Sequence, residues 1–243
     1  MKNTGFGVSP KAIAIRVAVF NRLLTCHGHK TLSLRSLKNN MTGILHQLYS
    51  NILDTSWIEV LAVIFGILSV WFARKENIWV YPTGIVNVLI YVYLCLTAGL
   101  YADMAINAFY FVMSVFGWYN WSRRDEKQHH VPISSLNLLQ WAFYILLIIS
   151  SFGIIYFVLS HYTNSTVPIF DSFTTSLFIA GMWLMAIKKI ENWILWILGD
   201  LLVIPLFAMK GLVFTSIQYI VFLVLAVMGY TEWRKRLLAK EIA

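Results

Sequence analysis

The chain contains few charged residues and very few cysteines. Charged side chains make up 12% of its 243 residues, whereas apolar ones make up 59% and aromatic ones 16%. Together with a mean hydropathy of +0.69, this composition lies outside the range of soluble globular domains. Cys26 and Cys95 stand in unrelated contexts, so they predict neither a disulfide framework nor a metal site. The sequence therefore predicts a membrane protein with several spans.

Motifs of intramembrane catalysis are also missing. The sequence has no His-Glu-x-x-His, no Gly-x-Ser-x-Gly and no paired aspartates within an apolar segment, and its six histidines lie outside the predicted spans. Its loops are too short to form a soluble output domain, which argues against a sensor or scaffold protein. We therefore expect neither an enzyme nor a bound cofactor.

Seven apolar segments follow one another from residue 56 onward, and each is long enough to cross a bilayer as a helix. The predicted spans are Trp57–Ala73, Trp79–Thr97, Ala102–Trp121, Leu136–Leu159, Ser172–Ile187, Trp193–Met209 and Val213–Tyr230. The expected fold class is an all-α integral membrane protein with seven transmembrane helices.

Lysine and arginine outnumber aspartate and glutamate by 19 to 11. Most of this excess lies in short loops between spans, so it indicates topology, and we expect no nucleic-acid partner. The loops after the first, third and fifth spans and the tail 234–243 are basic, whereas the opposite loops carry only Lys210. By the positive-inside rule, the C-terminus is cytoplasmic.

Residues 1–55 form a basic extension before the first span. Residues 1–40 contain seven lysines and arginines and no acid, and their apolar run Ala12–Phe20 is interrupted by Arg16. This run is too short and too charged to span a bilayer, and it lacks the features of a secretory signal. A basic interfacial helix, a poorly ordered tail and a true start at Met41 all stay open. We expect no function from this segment.

Two stretches of the chain resemble each other, which predicts an internal repeat. The matches are Glu76-Asn77 with Glu191-Asn192, Tyr81 with Trp196, Gly84 with Gly199, and Gly117–Trp121 with Gly229–Trp233. They divide the chain into a first three-helix repeat (56–121), a loop and linker helix (122–165), a second three-helix repeat (166–233) and the tail. In this 3+1+3 arrangement the two repeats are parallel, and a substrate would lie near the midplane between them.

One carboxylate lies deep inside a predicted span. Trp193, Trp196 and Asp200 follow an i, i+3, i+7 pattern and share one face of the sixth helix. A carboxylate near mid-membrane costs at least a few kcal/mol unless it faces a cavity or a partner, so Asp200 is a candidate functional residue. A hydrogen bond between helices, without a transport role, is the alternative.

Other polar and aromatic side chains within the spans complete the candidate substrate site. The third span offers one face with Asn107, Tyr110 and Trp118, and the remaining candidates are Asn87, Tyr91, Trp183, Asn192, Gln218 and Tyr219. The amides of Asn87, Asn107 and Gln218 could instead only hold helices together, and Asn192 could cap a helix start.

The 3+1+3 topology and three groups of residues together resemble the PnuC family, bacterial nicotinamide riboside transporters related to the SWEET sugar facilitators. The residues are Glu191-Asn-Trp-x-x-Trp-x-x-x-Asp200, Tyr81-Pro-x-Gly84, and the Asn-x-x-Tyr and Gly-Trp-x-x-Trp patterns between 107 and 121. The resemblance covers residues 56 to about 236. It implies a protein of the bacterial inner membrane that carries nicotinamide riboside by facilitated diffusion, through alternating access of two helix triads.

The resemblance also implies that a cytoplasmic riboside kinase maintains the gradient by phosphorylating the substrate. Nicotinamide riboside carries a flat cationic ring and a ribose. Trp193 and Trp196 suit the ring through stacking and cation–π contacts, and Asp200 could offset its charge or bind the ribose. Three alternatives stay open: thiamine or riboflavin as the substrate, proton coupling through Asp200, and a homo-oligomeric assembly.

Overall fold

The computed structural model describes residues 56–123, 131–163, 165, 167–209 and 213–242. These residues form seven helices and no strand apart from an isolated bridge between Ser134 and Lys189. The helices are α1 Trp57–Arg74, α2 Val80–Ala98, α3 Tyr101–Ser122, α4 Leu138–Tyr162, α5 Pro168–Ala186, α6 Asn192–Met209 and α7 Val213–Ile242. The all-α prediction is confirmed. The predictions for residues 1–55 and for Lys210 fall outside the described residues.

Six of the seven helices are long and apolar enough to cross a membrane. The exception is α3, which carries Asp103, Asn107, Ser114 and Asn120 along its length and is therefore less apolar than its neighbours. The other deviation from the predicted spans is α7, which continues to Ile242, well past the predicted end at Tyr230.

Local capping explains where several helices begin and end. Ser56 and Glu59 form a reciprocal capping box at the start of α1, with N···O distances of 3.2 and 3.3 Å. Asn137 and Gln140 do the same for α4. Helix α2 ends at Gly99, whose φ of 72° is a left-handed conformation that glycine adopts at little cost.

Helices α1–α3 are called the first triad and α5–α7 the second triad. Within the first triad (α1–α3), α1 packs on α2 and α2 on α3; within the second triad (α5–α7), α5 packs on α6 and α6 on α7. Between the triads, α1 packs on α7 and α3 packs on α5. Helix α4 packs on α5, and most of its surface is exposed and apolar, as expected for a helix that faces lipid.

Contacts between the triads occur in pairs that are 112 residues apart. The indole of Trp121 donates to the carbonyl of Met185 at 3.1 Å, and that of Trp233 donates to the carbonyl of Ala73 at 3.0 Å. The same spacing relates 121 to 233 and 73 to 185. Each partner carbonyl lies near the end of the first helix of the opposite triad.

The same offset relates two close contacts inside the triads. Tyr81 lies against Gly117, and Trp193 lies against Gly229, so Tyr81 is the counterpart of Trp193. The register expected from the two Glu-Asn pairs, 115 residues apart (76 and 191), is therefore wrong by about one helical turn, whereas the register of Gly117–Trp121 with Gly229–Trp233 agrees with the contacts. Two identical residues at a turn are a weak guide to how the repeats align. The contacts between helices, and not the turn residues, show which positions are equivalent.

Candidate functional site

One end of the bundle is basic and closed by aromatic side chains. This basic end is where α1 and α5 finish, and it carries Arg74, Lys75, Lys188 and Lys189. Beneath these residues lies the tryptophan cluster, whose members are almost fully buried: Tyr81, Trp121, Trp193 and Trp233. The ring centroids are 5.2 Å apart for Tyr81 and Trp121, 5.9 Å for Trp121 and Trp233, and 5.5 Å for Trp233 and Trp193. The cluster fills the space between the triads at this end.

A second aromatic group lies further along α6. Trp196 stacks on Phe178 with centroids 5.1 Å apart, and Phe178 stacks on Tyr219 at 6.3 Å. Phe222 then meets Tyr219 edge-on at 5.7 Å. This aromatic wall combines side chains from α5, α6 and α7. The indole N–H of Trp196 is buried near Gly181 and has no hydrogen-bond partner in the described part of the chain.

Phe178 was not predicted, because an apolar residue in an apolar helix carries no signal of its own. Gly199 provides an indirect one. A Cβ atom at Gly199 would collide with the Phe178 ring, so the ring requires the absence of a side chain one turn of α6 beyond Trp196. In the sequence, Gly199 stands out only as a match between the two repeats.

Polar side chains from both triads converge beside the aromatic wall. The Tyr219 hydroxyl lies within electrostatic range of Asp200, Tyr110 and Tyr91, and the Tyr91 hydroxyl lies against the side chain of Gln218. Asp200 is 2% exposed, while the other four keep part of their surface accessible. Because these residues come from α2, α3, α6 and α7, they lie where the two triads face each other.

Asp200 is a buried carboxylate, and the described part of the chain places no compensating charge beside it. No salt bridge or hydrogen bond joins its side chain to another residue within the described ranges. A carboxylate in this position is costly and is well suited to a cationic ligand. With the aromatic wall, two further hydroxyls and an amide, the site has the donors, acceptors and flat surfaces that a cationic aromatic ring bearing a sugar requires.

Three predicted amides each donate one hydrogen bond to a backbone carbonyl. Asn87 donates to the carbonyl of Ala62 on α1 at 2.6 Å, and Asn107 donates to the carbonyl of Asp103 on its own helix at 2.9 Å. Asn192 is fully buried and donates to the carbonyl of Lys189 at 2.5 Å. Only the bond of Asn87 joins two helices, and the substrate-binding roles of all three amides stay predictions.

Three predicted tryptophans lie away from the wall. Trp193 belongs to the tryptophan cluster, where it packs edge-on against Trp233. Trp118 and Trp183 are 42% and 38% exposed. On α3, Trp118 lies between the buried residues Ser114 and Trp121, and a substrate-binding role for Trp118 and Trp183 stays a prediction.

Six helices that are long and apolar enough to cross a membrane, together with a buried carboxylate beside aromatic rings, are features of multi-pass helical membrane proteins that transport small molecules. Residues 56–235, well over half of the chain, match the family described as "Nicotinamide mononucleotide transporter". The chain belongs to this family.

Curated relatives include two nicotinamide riboside transporters named PnuC. The Escherichia coli protein is 27% identical over 205 residues, covering 74% of this chain and 86% of its own. The Neisseria mucosa protein is 28% identical over 195 residues, covering 74% and 73%. A riboflavin/roseoflavin transporter, RibM of Streptomyces davaonensis, is 21% identical over 181 residues, covering 73% and 84%. The resemblance to the PnuC family seen in the sequence is confirmed.

A solved structure supports the fold independently. The crystal structure described as that of the vitamin B3 transporter PnuC superposes with a TM-score of 0.62 at 24% identity, covering 90% of this chain and 97% of its own. At this level of identity the likeness shows the fold, and the roles of single residues rest on the geometry described above.

Proposed function

We propose that this protein carries nicotinamide riboside across the bacterial inner membrane. The observation that supports this most directly is the uncompensated carboxylate of Asp200 near the aromatic wall of Trp196, Phe178 and Tyr219. The cationic pyridinium ring stacks on the wall and supplies the missing positive charge, and the ribose hydroxyls meet Tyr91, Tyr110 and Gln218. Relatives named as nicotinamide riboside transporters support the same substrate.

The transport mechanism is alternating access between the two triads in a 3+1+3 arrangement. The paired contacts at a 112-residue offset, such as Trp121 with Met185 and Trp233 with Ala73, support a parallel repeat whose axis runs along the membrane normal. Rocking of one triad against the other exposes the site to either side in turn. Arginines and lysines at the basic end support a cytoplasmic location for that end and for the C-terminus.

Transport is facilitated diffusion. A cytoplasmic riboside kinase phosphorylates the arriving substrate and so keeps its inward gradient steep. The site needs no second ligand for this mechanism, because the cation that balances Asp200 arrives as the substrate itself.

Calorimetric titration of the purified protein in detergent tests the substrate. We expect nicotinamide riboside to bind and riboflavin and thiamine to bind weakly or not at all. Trp196→Ala should weaken binding by about 2- to 30-fold, since a cation–π contact contributes roughly 0.5–2 kcal/mol. Trp57→Ala, which removes an exposed indole at the start of α1, is the matched control and should bind as the unaltered protein does.

Riboflavin is the second candidate substrate, because RibM is among the relatives. Its ring system is uncharged and larger, so its binding would not need Asp200. Preferential binding of riboflavin in the same titrations would keep the fold and the site but reject nicotinamide riboside.

A further inference from the structure

The basic end contains a salt bridge that joins the two triads. The ammonium of Lys188 lies 2.8 Å from one carboxylate oxygen of Glu76, and the guanidinium of Arg236 lies 3.0 Å from the other. The side chain of Lys188 is only 4% exposed, while that of Arg236 is 39% exposed. The Lys188 ammonium also lies 4.5 Å over the ring of Trp121. A carboxylate that follows α1 is therefore held by two cations of the second triad.

Glu76 and Lys188 occupy equivalent positions in the two triads. They are 112 residues apart (76 and 188), the same offset as the paired tryptophan contacts. Both adopt a left-handed backbone conformation that is uncommon for residues other than glycine, with φ of 57° and 55°. The next residue in each case donates from its backbone to a carbonyl five positions back, Asn77 to Phe72 and Lys189 to Leu184, both at 2.9 Å.

Equivalent residues of two rotationally related units can touch each other only close to the axis that relates them. The contact between Glu76 and Lys188 therefore lies near the axis between the triads, at the basic end. A substrate that leaves a site between the triads along this axis passes the tryptophan cluster first and then the Glu76–Lys188 pair.

We infer that the Glu76–Lys188 salt bridge is the cytoplasmic gate of the transporter, and that it opens when substrate is released. This inference rests on the proposed alternating access. Opening separates Glu76 from Lys188 and also breaks the bonds from Trp121 to Met185 and from Trp233 to Ala73, since all three contacts cross between the triads.

A charged pair suits a gate that must open as well as close. When the triads close, the buried charges satisfy each other at hydrogen-bonding distance. When the triads part, water enters and hydrates both charges, so much of the lost attraction is recovered. A gate made only of apolar side chains would instead expose apolar surface to water in the open state.

Distances between spin labels across the gate test this inference. The labels are attached to Lys75→Cys and Lys189→Cys, one on each triad beside the gate, in a full chain with Cys26→Ser and Cys95→Ser. Pulsed electron paramagnetic resonance in lipid should give mainly one short distance. In Glu76→Gln and in Lys188→Met, the population of a longer distance should rise about tenfold or more, because one partner of the salt bridge has been removed.

Arg236→Gln is the matched control, because it removes the exposed cation from the same carboxylate and should leave the short distance dominant. The exchanged pair Glu76→Lys with Lys188→Glu, made in the Arg236→Gln background, should restore the short distance. The exchanged pair also tests whether the salt bridge is the gate if the single variants fail to fold. Unchanged distances in every variant, or a persistent long distance in the exchanged pair, would overturn the gate.

Uptake by the unaltered chain in proteoliposomes separates the gate from the substrate. If nicotinamide riboside is not taken up but the distances still shift as expected, the gate is supported and the proposed substrate is rejected. If uptake occurs and the distances do not shift, the gate is rejected and the substrate proposal stands.

Discussion

Replacing Asp200 with asparagine should change binding and stability in opposite directions. The two side chains have nearly the same shape, so the substitution removes the negative charge and little else. The carboxylate is 2% exposed and has no described cation beside it, and an aspartate at mid-membrane costs about 2.5–3.5 kcal/mol. The asparagine variant should recover part of this energy and melt at a higher temperature than the unaltered protein.

Binding of a cation should become weaker in the same variant. Two opposite charges about 5 Å apart attract by about 3 kcal/mol at an effective dielectric constant of about 20. Losing this attraction corresponds to a rise in Kd of roughly 100-fold. Isothermal titration with nicotinamide riboside measures the change in Kd, and thermal unfolding in detergent measures the change in stability.

The reduced form of nicotinamide riboside provides the decisive comparison, because its ring is uncharged and of nearly the same size. Asp200→Asn should leave the Kd of this analogue within about threefold of the unaltered value, whereas Trp196→Ala should weaken binding of both forms. A variant that binds the cationic form normally and is less stable than the unaltered protein would refute this reasoning. That result would make Asp200 a structural residue that holds helices together.

Two further predictions concern packing. Gly199→Leu should lower the melting temperature and weaken binding, because the new side chain must displace the ring of Phe178 at a cost of about 1–3 kcal/mol or more. Gly153→Leu is the control, since no atom lies within 4 Å of a Cβ added there. It should leave the melting temperature and the Kd unchanged. Asn87→Ala should cost about 0.6 kcal/mol of stability through the lost bond to Ala62, with the Kd for nicotinamide riboside unchanged, and a large loss of binding would place Asn87 in the site after all.

Much of the fold was predictable because the bilayer imposes its own length on each apolar segment. The predicted spans match the seven helices to within a few residues at most ends. The end of α7 was not predictable by this reasoning, because hydropathy marks where a helix leaves the apolar layer and not where its hydrogen bonding stops. Beyond Tyr230 the sequence is polar, yet the helix continues to Ile242.

The polar members of the candidate site were predictable, as were Trp196 and Tyr219 of the aromatic wall, but Phe178 was not. Asp200, Gln218 and Tyr91 stand out because polar groups are rare in apolar helices, whereas Phe178 does not differ from its neighbours. Spacing on a single helix also could not separate Trp193 from Trp196. Both lie on related faces of α6, but Trp193 lies one turn nearer the basic end. There, Gly229 and Trp233 of α7 pack against it.

The meeting of Glu76 and Lys188 on the axis has a consequence for the history of the chain. In an ancestor made of two identical three-helix subunits, a residue on the symmetry axis would face its own copy. Such a residue could not form a salt bridge with itself, because like charges repel. Opposite charges at this position require two copies that can mutate separately. The charged contact would therefore have come after duplication of the three-helix unit, and a dimer of identical subunits could not have formed it.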